Sequence, residues 1–407
     1  MSSLKANIDK CLKLAAESAA TELLQIGMRE GASDLHLTPK KEYAEIAARV
    51  RGALTRITTV DLETYKRLVF AMKRQANVNP VSKKPQDGRI VAKNSEGLEV
   101  SMRFASVHCK IFKQDKITIR IPGSDVNLLQ LQNLDFTPDD LQRFKTVLEK
   151  NCGMVLVTGP TGSGKTTTLY AALNYVKELE CANILTAEDP AESPIDGVTQ
   201  IEPDAEAGNF SDILRSFLRH DPDIIMIGET RDAETAEISV KAALTGHLVL
   251  TTLHANTALL SITRMLDLGV DPFNLVFTVG GLQNQRLLRT LCTKCRKKEP
   301  PSEFEKSLFR KYNREVPEYV YHHGTEDCDE PGCIGGITGR KAVYELMTFD
   351  VEDQGYLFKC IKEAKSLETE YLKYYKAKYP NYKTLFEMAL DYATQGIVDP
   401  NDILKFI

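Results

Sequence analysis

The run Gly159-Pro-Thr-Gly-Ser-Gly-Lys-Thr166 fits the spacing G-x-x-x-x-G-K-T, follows an apolar stretch from Met154 to Thr158 and leads into a helical pattern. Strand, glycine-rich turn and helix form the setting in which this spacing carries meaning. Gly159, Gly162 and Gly164, with Pro160, Thr161 and Ser163 between them, let backbone N–H groups close around phosphates, and the helix N-terminus adds its dipole. Lys165 is expected to reach the β- and γ-phosphates and the Thr166 hydroxyl to hold Mg²⁺, with Thr167 in the same binding set. A nucleoside triphosphate site is predicted here.

Hydrolysis asks for acids beside that site. The apolar run Asp223-Ile-Ile-Met-Ile-Gly228 ends in Glu229, where a Walker B carboxylate would stand, and Glu188-Asp-Pro190 with Glu192 follows a second apolar run starting at Ile184. Such carboxylates hold the metal's water shell or orient the attacking water. His247 and His254 bracket a further apolar run, Leu248–Leu253. A histidine near a strand is most often structural, but one on the same sheet as the phosphates is a candidate sensor of the γ-phosphate.

Positioning these residues needs a sheet. Apolar strands alternating with helical patterns between Met154 and Leu253 predict a parallel sheet covered on both faces, in an α/β domain with the acids at the strands' carboxyl ends. Upstream the pattern differs. Residues 1–30 read as one amphipathic helix, with Leu12, Ala15, Ala19, Leu23 and Ile26 at helical spacing. Residues 31–121 alternate in short runs broken by turns and read as a small α+β domain. A linker over 122–135, holding Pro122, Gly123 and Ser124, precedes the ATPase domain of 136–407, which ends in a helical tail. The sequence has no tandem repeat and no low-complexity segment.

Composition narrows the class. A length of 407 residues suggests about two to four domains. The balance of 52 Lys+Arg against 56 Asp+Glu, a net charge of −4, argues against broad non-specific binding to nucleic acid or anionic lipid. Charges at Lys5, Asp9, Lys10, Lys13 and Glu17 interrupt any signal-peptide core, and the sequence holds no apolar run of about eighteen residues. A cytosolic chain that reaches a membrane through a partner, without inserting, is expected.

Four of nine cysteines come in pairs: Cys292 with Cys295 as C-x₂-C, and Cys328 with Cys333 as C-x₄-C. In a reducing compartment such spacing suits a closed tetrahedral Zn²⁺ site in a knuckle over about 288–340. Cys328 is the least regular ligand, and His322 and His323 lie near enough in sequence to replace it.

Taken together, Glu188-Asp-Pro-Ala-Glu192, the run Leu218 to Asp232 and the run Thr245 to Asn256 resemble the aspartate box, Walker B segment and histidine box of the secretion ATPases, the GspE/PilB-like motors of type II secretion and type IV pilus assembly. Ser33-Asp-Leu-His36, Arg49-Val-Arg-Gly52, Gln86-Asp-Gly-Arg89, Gln285-Arg-Leu-Leu-Arg289 and Gly339 to Glu345 extend the similarity over about residues 30–400. The resemblance implies a RecA-like ATPase domain preceded by a PAS-like domain, in a short form without a further N-terminal domain. It implies a cytoplasmic hexamer that uses ATP, Mg²⁺ and Zn²⁺ and drives an inner-membrane platform protein, with no nucleic-acid partner. It makes Glu192 the catalytic glutamate, Glu229 the Walker B acid, Glu188 a further residue of the nucleotide site, and His247 and His254 the nucleotide-responsive pair. Arg103 and Arg120, which alone read as solvated strand residues, match arginines that the family's N-terminal domain folds onto the phosphates. The paired cysteines match assembly rather than retraction motors. A retraction ATPase, a P-loop DNA translocase and a nucleotide-gated scaffold are the alternatives.

Overall fold

The computed structural model describes residues 2–94, 97, 99–122, 129–179, 182–204, 206–324, 328–330 and 332–404, with side chains from Lys5 onward. Gly123 and Ser124 of the expected linker, Cys181, and the last three residues of the tail lie outside them. The chain divides into two compact units. One holds Met1–Asp125, Cys292–Arg296 and His323–Arg340, and the other Val126–Leu291, Lys297–His322 and Lys341–Ile407.

In the first unit the expected single helix over 1–30 is two: α1 (Ser2–Cys11) and α2 (Ala16–Arg29). Ala15 is extended, at φ −57° and ψ 148°, so the chain turns there although no proline or glycine marks the break. Packing supplies the reason. Ile8, Cys11, Leu23, Leu24 and Ile26 all enter one core, which a continuous rod could not allow, and Asp9 accepts a hydrogen bond from Thr58 at 2.7 Å. Strands β1 (Ala32–Pro39), β2 (Tyr43–Val50) and β3 (Ala53–Asp61), helix α3 (Leu62–Gln75), then β4 (Gln86–Lys93), β5 (Glu99–Cys109) and β6 (Gln114–Arg120) complete it. The six strands form one sheet in the order β3-β2-β1-β6-β5-β4, with α2 and α3 packed on it. Inward residues alternate with outward ones, as in β5, so one face is buried and the other is exposed or half-exposed. Asp61 starts α3 by accepting from the N–H groups of Glu63 and Thr64, each at 2.9 Å.

The second unit is built on a seven-stranded sheet in the order β15-β12-β7-β11-β10-β8-β9. It begins with α4 (Pro138–Leu148), β7 (Gly153–Thr158), α5 (Lys165–Leu179), β8 (Ile184–Ala187), β9 (Thr199–Ile201), α6 (Phe210–Phe217) and β10 (Ile224–Ile227). There follow α7 (Ala233–Leu244), β11 (Leu248–Leu253), α8 (Ala258–Asp267), α9 (Pro272–Thr278) and β12 (Val279–Leu291). A short pair, β13 (Lys297–Glu299) and β14 (Val320–His322), flanks α10 (Glu303–Lys311). Strand β15 (Ile337–Thr348) and helices α11 (Val351–Lys362), α12 (Leu372–Lys378), α13 (Leu385–Thr394) and α14 (Pro400–Ile403) close the chain. Strands β8, β10 and β11 are buried along their whole length, because hydrophobic clusters cover both faces. Neighbours β12, β7, β11, β10, β8 and β9 run parallel, so their carboxyl ends line one edge.

One buried acid fastens two helices to this sheet. The Glu345 carboxylate accepts from the N–H of Ala258 at 2.8 Å and of Leu385 at 3.1 Å, satisfying the first free N–H of α8 and of α13 together. Burial pushes its carboxyl up to about 7, outweighing the two backbone donors. Between about pH 4.5 and 7 the folded chain therefore keeps a proton that the unfolded chain has released, and stability falls as pH rises through that window, by about 3 kcal/mol in all. Urea unfolding at about pH 5 and about pH 7.5 is expected to show this fall, and Glu345→Gln to flatten it.

Candidate nucleotide site

The phosphate loop sits where β7 ends. Gly159, Gly162 and Gly164 adopt φ of 145°, 78° and 90°, left-handed values that suit glycine alone. At Gly159 space adds a second demand, since a Cβ there would lie 2.5 Å from both the Gln285 carbonyl and the Ser163 hydroxyl. Lys165 opens α5 and its Nζ donates to the carbonyls of Gly159 at 2.9 Å and Pro160 at 3.2 Å. Burial lowers the Lys165 ammonium's pKa, while the charges of Glu229 and Glu192 act in the opposite sense. Both candidate acids thus bear electrostatically on the lysine. The Ser163 hydroxyl is buried with no hydrogen-bond partner among the described residues, an unmet polar atom of the kind a phosphate oxygen satisfies. The glycine cradle, the ammonium and this orphan hydroxyl fit a polyphosphate with its Mg²⁺.

Gln285 and Tyr170, to which no sequence motif gives a role, hold this geometry. Gln285, on β12 beside β7, donates from Nε2 to the Ser163 carbonyl at 2.8 Å and accepts from Thr168 Oγ1 at 2.9 Å. Tyr170 lies on α5, and its hydroxyl donates to Glu188 Oε2 at 2.6 Å and accepts from the Glu192 N–H at 3.2 Å. Glu188 itself is buried and also accepts from Thr186 Oγ1 at 2.6 Å and Gln200 Nε2 at 3.0 Å. Its described partners are thus protein groups, and through Tyr170 it ties down the loop that carries the exposed Glu192. The helical period would have flagged Tyr170 only as core.

Glu229 follows β10. Its Oε2 pairs with Arg231 at 2.5 Å and its Oε1 with His254 Nε2 at 3.0 Å. Burial pushes its carboxyl up, yet the hydrogen bond and charge of Arg231, then His254 and Lys165, outweigh that and hold it below the usual range. It is a weak proton acceptor at neutral pH and a firm anion. The in-register pairs Thr158–Leu253, Thr251–Ile227 and Ile227–Ala187 bring Gly159, His254, Glu229 and Glu188 to one edge.

His247 is not among them. It precedes β11, where Leu248 pairs with Gly153 at the amino end of β7, and its Nδ1 lies 2.9 Å from the Ala242 carbonyl at the end of α7. Six residues of strand separate it from the phosphate edge, about 20 Å at 3.3 Å per residue.

In the first unit, strand register lines up Arg49, Asp34, Arg120, Arg103 and Arg89 directly across β2, β1, β6, β5 and β4. Residues opposite one another share a face. Asp34 pairs with Arg120 at 3.2 Å and with Arg49 at 3.6 Å. The row thus sets four guanidiniums along one stripe of the sheet. Sequence motifs had supplied Arg103 and Arg120; only register adds Arg49 and Arg89 to the same stripe.

The four paired cysteines also meet. Cys292 and Cys328 sulfurs lie 3.9 Å apart, Cys295 and Cys333 sulfurs 3.8 Å, and all four fall within 4.8 Å of one another. A tetrahedron with Zn–S bonds of 2.3 Å has edges of about 3.8 Å, whereas a disulfide would need about 2.05 Å. The set fits zinc. His322 does not replace Cys328, for its ring sits 3.2 Å from Asp399 and 3.6 Å from Glu305. Although expected inside the ATPase domain, these cysteines belong to the first unit. There Arg51, held at φ 51°, donates to the carbonyls of Gly332 and, at 3.2 Å, Ile337, and Ile334 packs on that unit's core.

Among known proteins, the family profile described as type II/IV secretion system protein matches residues 14–405. The type IV pilus assembly ATPase PilB of Myxococcus xanthus is 37% identical over 362 residues, covering 84% of this chain and 61% of that protein. PilB of Acinetobacter baylyi is 41% identical, covering 81% and 57%, and the type II secretion system ATPase E of Vibrio cholerae is 34% identical, covering 94% and 73%. The chain thus spans about three fifths of the two PilB proteins. Among solved structures, the pilus retraction motor PilT with bound ADP matches with TM-score 0.62 at 24% identity, covering 95% of this chain and 96% of that one. The DotB ATPase of Yersinia pseudotuberculosis matches at 0.68 and 19%, covering 96% and 93%. These two likenesses show a shared fold. No helix among the described residues is long and apolar enough to cross a membrane.

Proposed function

We propose, from the premise that this chain belongs to the family of type II/IV secretion system proteins, that it hydrolyses Mg²⁺-ATP and turns the energy into motion for pilus assembly or protein secretion. The observation that carries the reading is the phosphate loop closed by Gln285, with Lys165 at its mouth and Glu229 and Glu192 bearing on that lysine. In this account the loop and Lys165 bind the phosphates, Thr166 and Glu229 face the metal, and Glu192 accepts a proton from the attacking water. Bound Mg²⁺ supplies charge neutralisation at the phosphates. His254 reports the nucleotide's state through its contact with Glu229. Arg103 and Arg120 stabilise charge on the transferring phosphoryl group when the N-terminal unit, of PAS-like type, meets the nucleotide.

The wider assignment follows the relatives: a cytoplasmic homo-hexamer acting on an inner-membrane platform protein, with a zinc knuckle as in assembly motors. Phosphate release from ATP by the intact chain tests it. Turnover is expected to require Mg²⁺ and to stop with excess chelator of that ion. Arg120→Ala is expected to lower kcat by about 10²-fold with little change in ATP affinity. Metal-independent release would refute the reading.

A further inference from the structure

The end of the N-terminal sheet where β5 turns into β6 carries a group of residues with no part in nucleotide chemistry. The turn Lys110-Ile-Phe-Lys113 closes with the Phe112 N–H on the Cys109 carbonyl at 3.1 Å. At its apex Ile111 is 88% exposed and Phe112 36% exposed. Lys113 adopts φ 53°, where glycine or asparagine would be relaxed, so the position presents a charge at the cost of backbone strain.

Two other loops gather at the same end. Lys73, 1% exposed, pairs with Asp115 at 2.5 Å and donates to the Ser82 carbonyl at 3.0 Å. One buried ammonium thus ties the base of the hairpin to the segment holding Val81, 78% exposed, and the exposed Lys83 and Lys84. The Tyr65 hydroxyl lies 3.0 Å from the Leu37 carbonyl and 2.5 Å from that of Asp115, which brings the Lys40-Lys41 turn alongside. Six lysines therefore crowd three neighbouring turns. Of the acids at this end, Asp115 is committed to Lys73 and His108, Glu45 to Lys40 and Arg56, and Asp61 to the N–H groups that start α3, so that six lysines face Glu42, Glu63 and Asp87 as the remaining exposed acids.

Bare aliphatic and aromatic side chains on convex tips, ringed by lysines, match one environment well. Ile111, Phe112 and Val81 suit the boundary between lipid headgroups and acyl chains, and the lysines suit anionic headgroups above it. Lysine is a mobile point charge, without the planar fork that reads a fixed carboxylate, so the patch suits a diffuse anionic surface better than an acidic protein. We propose that this end of the N-terminal unit docks directly on an anionic lipid surface, with Ile111 and Phe112 seated at the headgroup boundary. The chain's net charge of −4 conceals this local reversal of sign.

Co-sedimentation of the intact chain with vesicles of equal phosphatidylglycerol and phosphatidylcholine, against vesicles of phosphatidylcholine alone, tests the proposal. Binding is expected only to the first and is expected to weaken with salt. The double variant Lys83→Gln, Lys84→Gln is expected to lose roughly fivefold in affinity per lysine removed. Ile111→Asp is expected to lose at least about tenfold by removing the buried anchor and adding an opposing charge. All three sites are exposed, so thermal unfolding and ATP binding are expected to stay as in the native chain. Failure of the native chain to bind anionic vesicles, or undiminished binding by both variants, would overturn the proposal. Capture by soluble polyglutamate without vesicle binding would also overturn it, in favour of an acidic protein partner.

Discussion

Glu192→Gln is expected to lower ATP turnover by about 10²–10⁴-fold, the usual contribution of a positioned general base, while leaving ATP binding almost unchanged. Two carboxylates bear on Lys165, and their surroundings assign them different work. Glu229 is clasped by Arg231 and His254 and its pKa is depressed, which makes it a durable anion and a poor proton acceptor. Glu192 is exposed on a loop whose N–H rests on the Tyr170 hydroxyl, itself bonded to buried Glu188. That arrangement fixes the backbone of a loop whose Glu192 is exposed to solvent, where water arrives. Tyr170→Phe therefore is expected to lower kcat with little change in KM, by less than Glu192→Gln does, because it loosens the loop without removing the base. Single-turnover rates with ATP binding measured in parallel would check both variants. Survival of turnover in Glu192→Gln would contradict the division of work between the two carboxylates.

Removing the cysteine cluster is expected to have the largest effect on stability. Zinc bound only in the folded state adds its binding energy to folding. Cys295→Ser is expected to abolish stoichiometric zinc and cost at least about 3 kcal/mol, roughly a 10 °C fall in unfolding temperature for a unit of this size. The loss is expected to fall on the N-terminal unit. There the knuckle is fastened by Arg51 and Ile334, and Gly324 leaves no room for a side chain against Cys295. Metal analysis with calorimetry would register this. A native chain with no zinc, or a zinc-free variant of unchanged stability, would contradict it.

The sequence made the sheet of the second unit legible because its strands are continuous apolar runs ending in motif residues. Glu229 and His254 could be placed at one edge from alternation alone. Other features were hidden for physical reasons. The break between α1 and α2 has no glycine or proline, since tertiary packing of Ile8 and Cys11 makes it. The residence of the cysteines in the first unit depends on contacts between Arg51 and residues some 280 positions away, beyond any local pattern. Tyr170 and Gln285 look like core and strand residues until their hydrogen bonds are seen. The arginine row exists only through register, in which a shift of one residue would turn every member to the opposite face. His247 shows the reverse case, a residue placed in the nucleotide pair by a motif that the parallel strand carries to the other edge of the sheet.

The loop from Gly159 to Thr167 is expected to bind Mg²⁺-ATP and turn it over. Equilibrium binding of a fluorescent ATP analogue, measured beside steady-state phosphate release for the native chain and Lys165→Ala, tests it most directly. The native chain is expected to bind and hydrolyse. Lys165→Ala, lacking the ammonium that now rests on the Gly159 and Pro160 carbonyls, is expected to lose about 10²–10³-fold in kcat/KM. Hydrolysis undiminished in Lys165→Ala, or a native chain that neither binds nor cleaves ATP, would contradict the account.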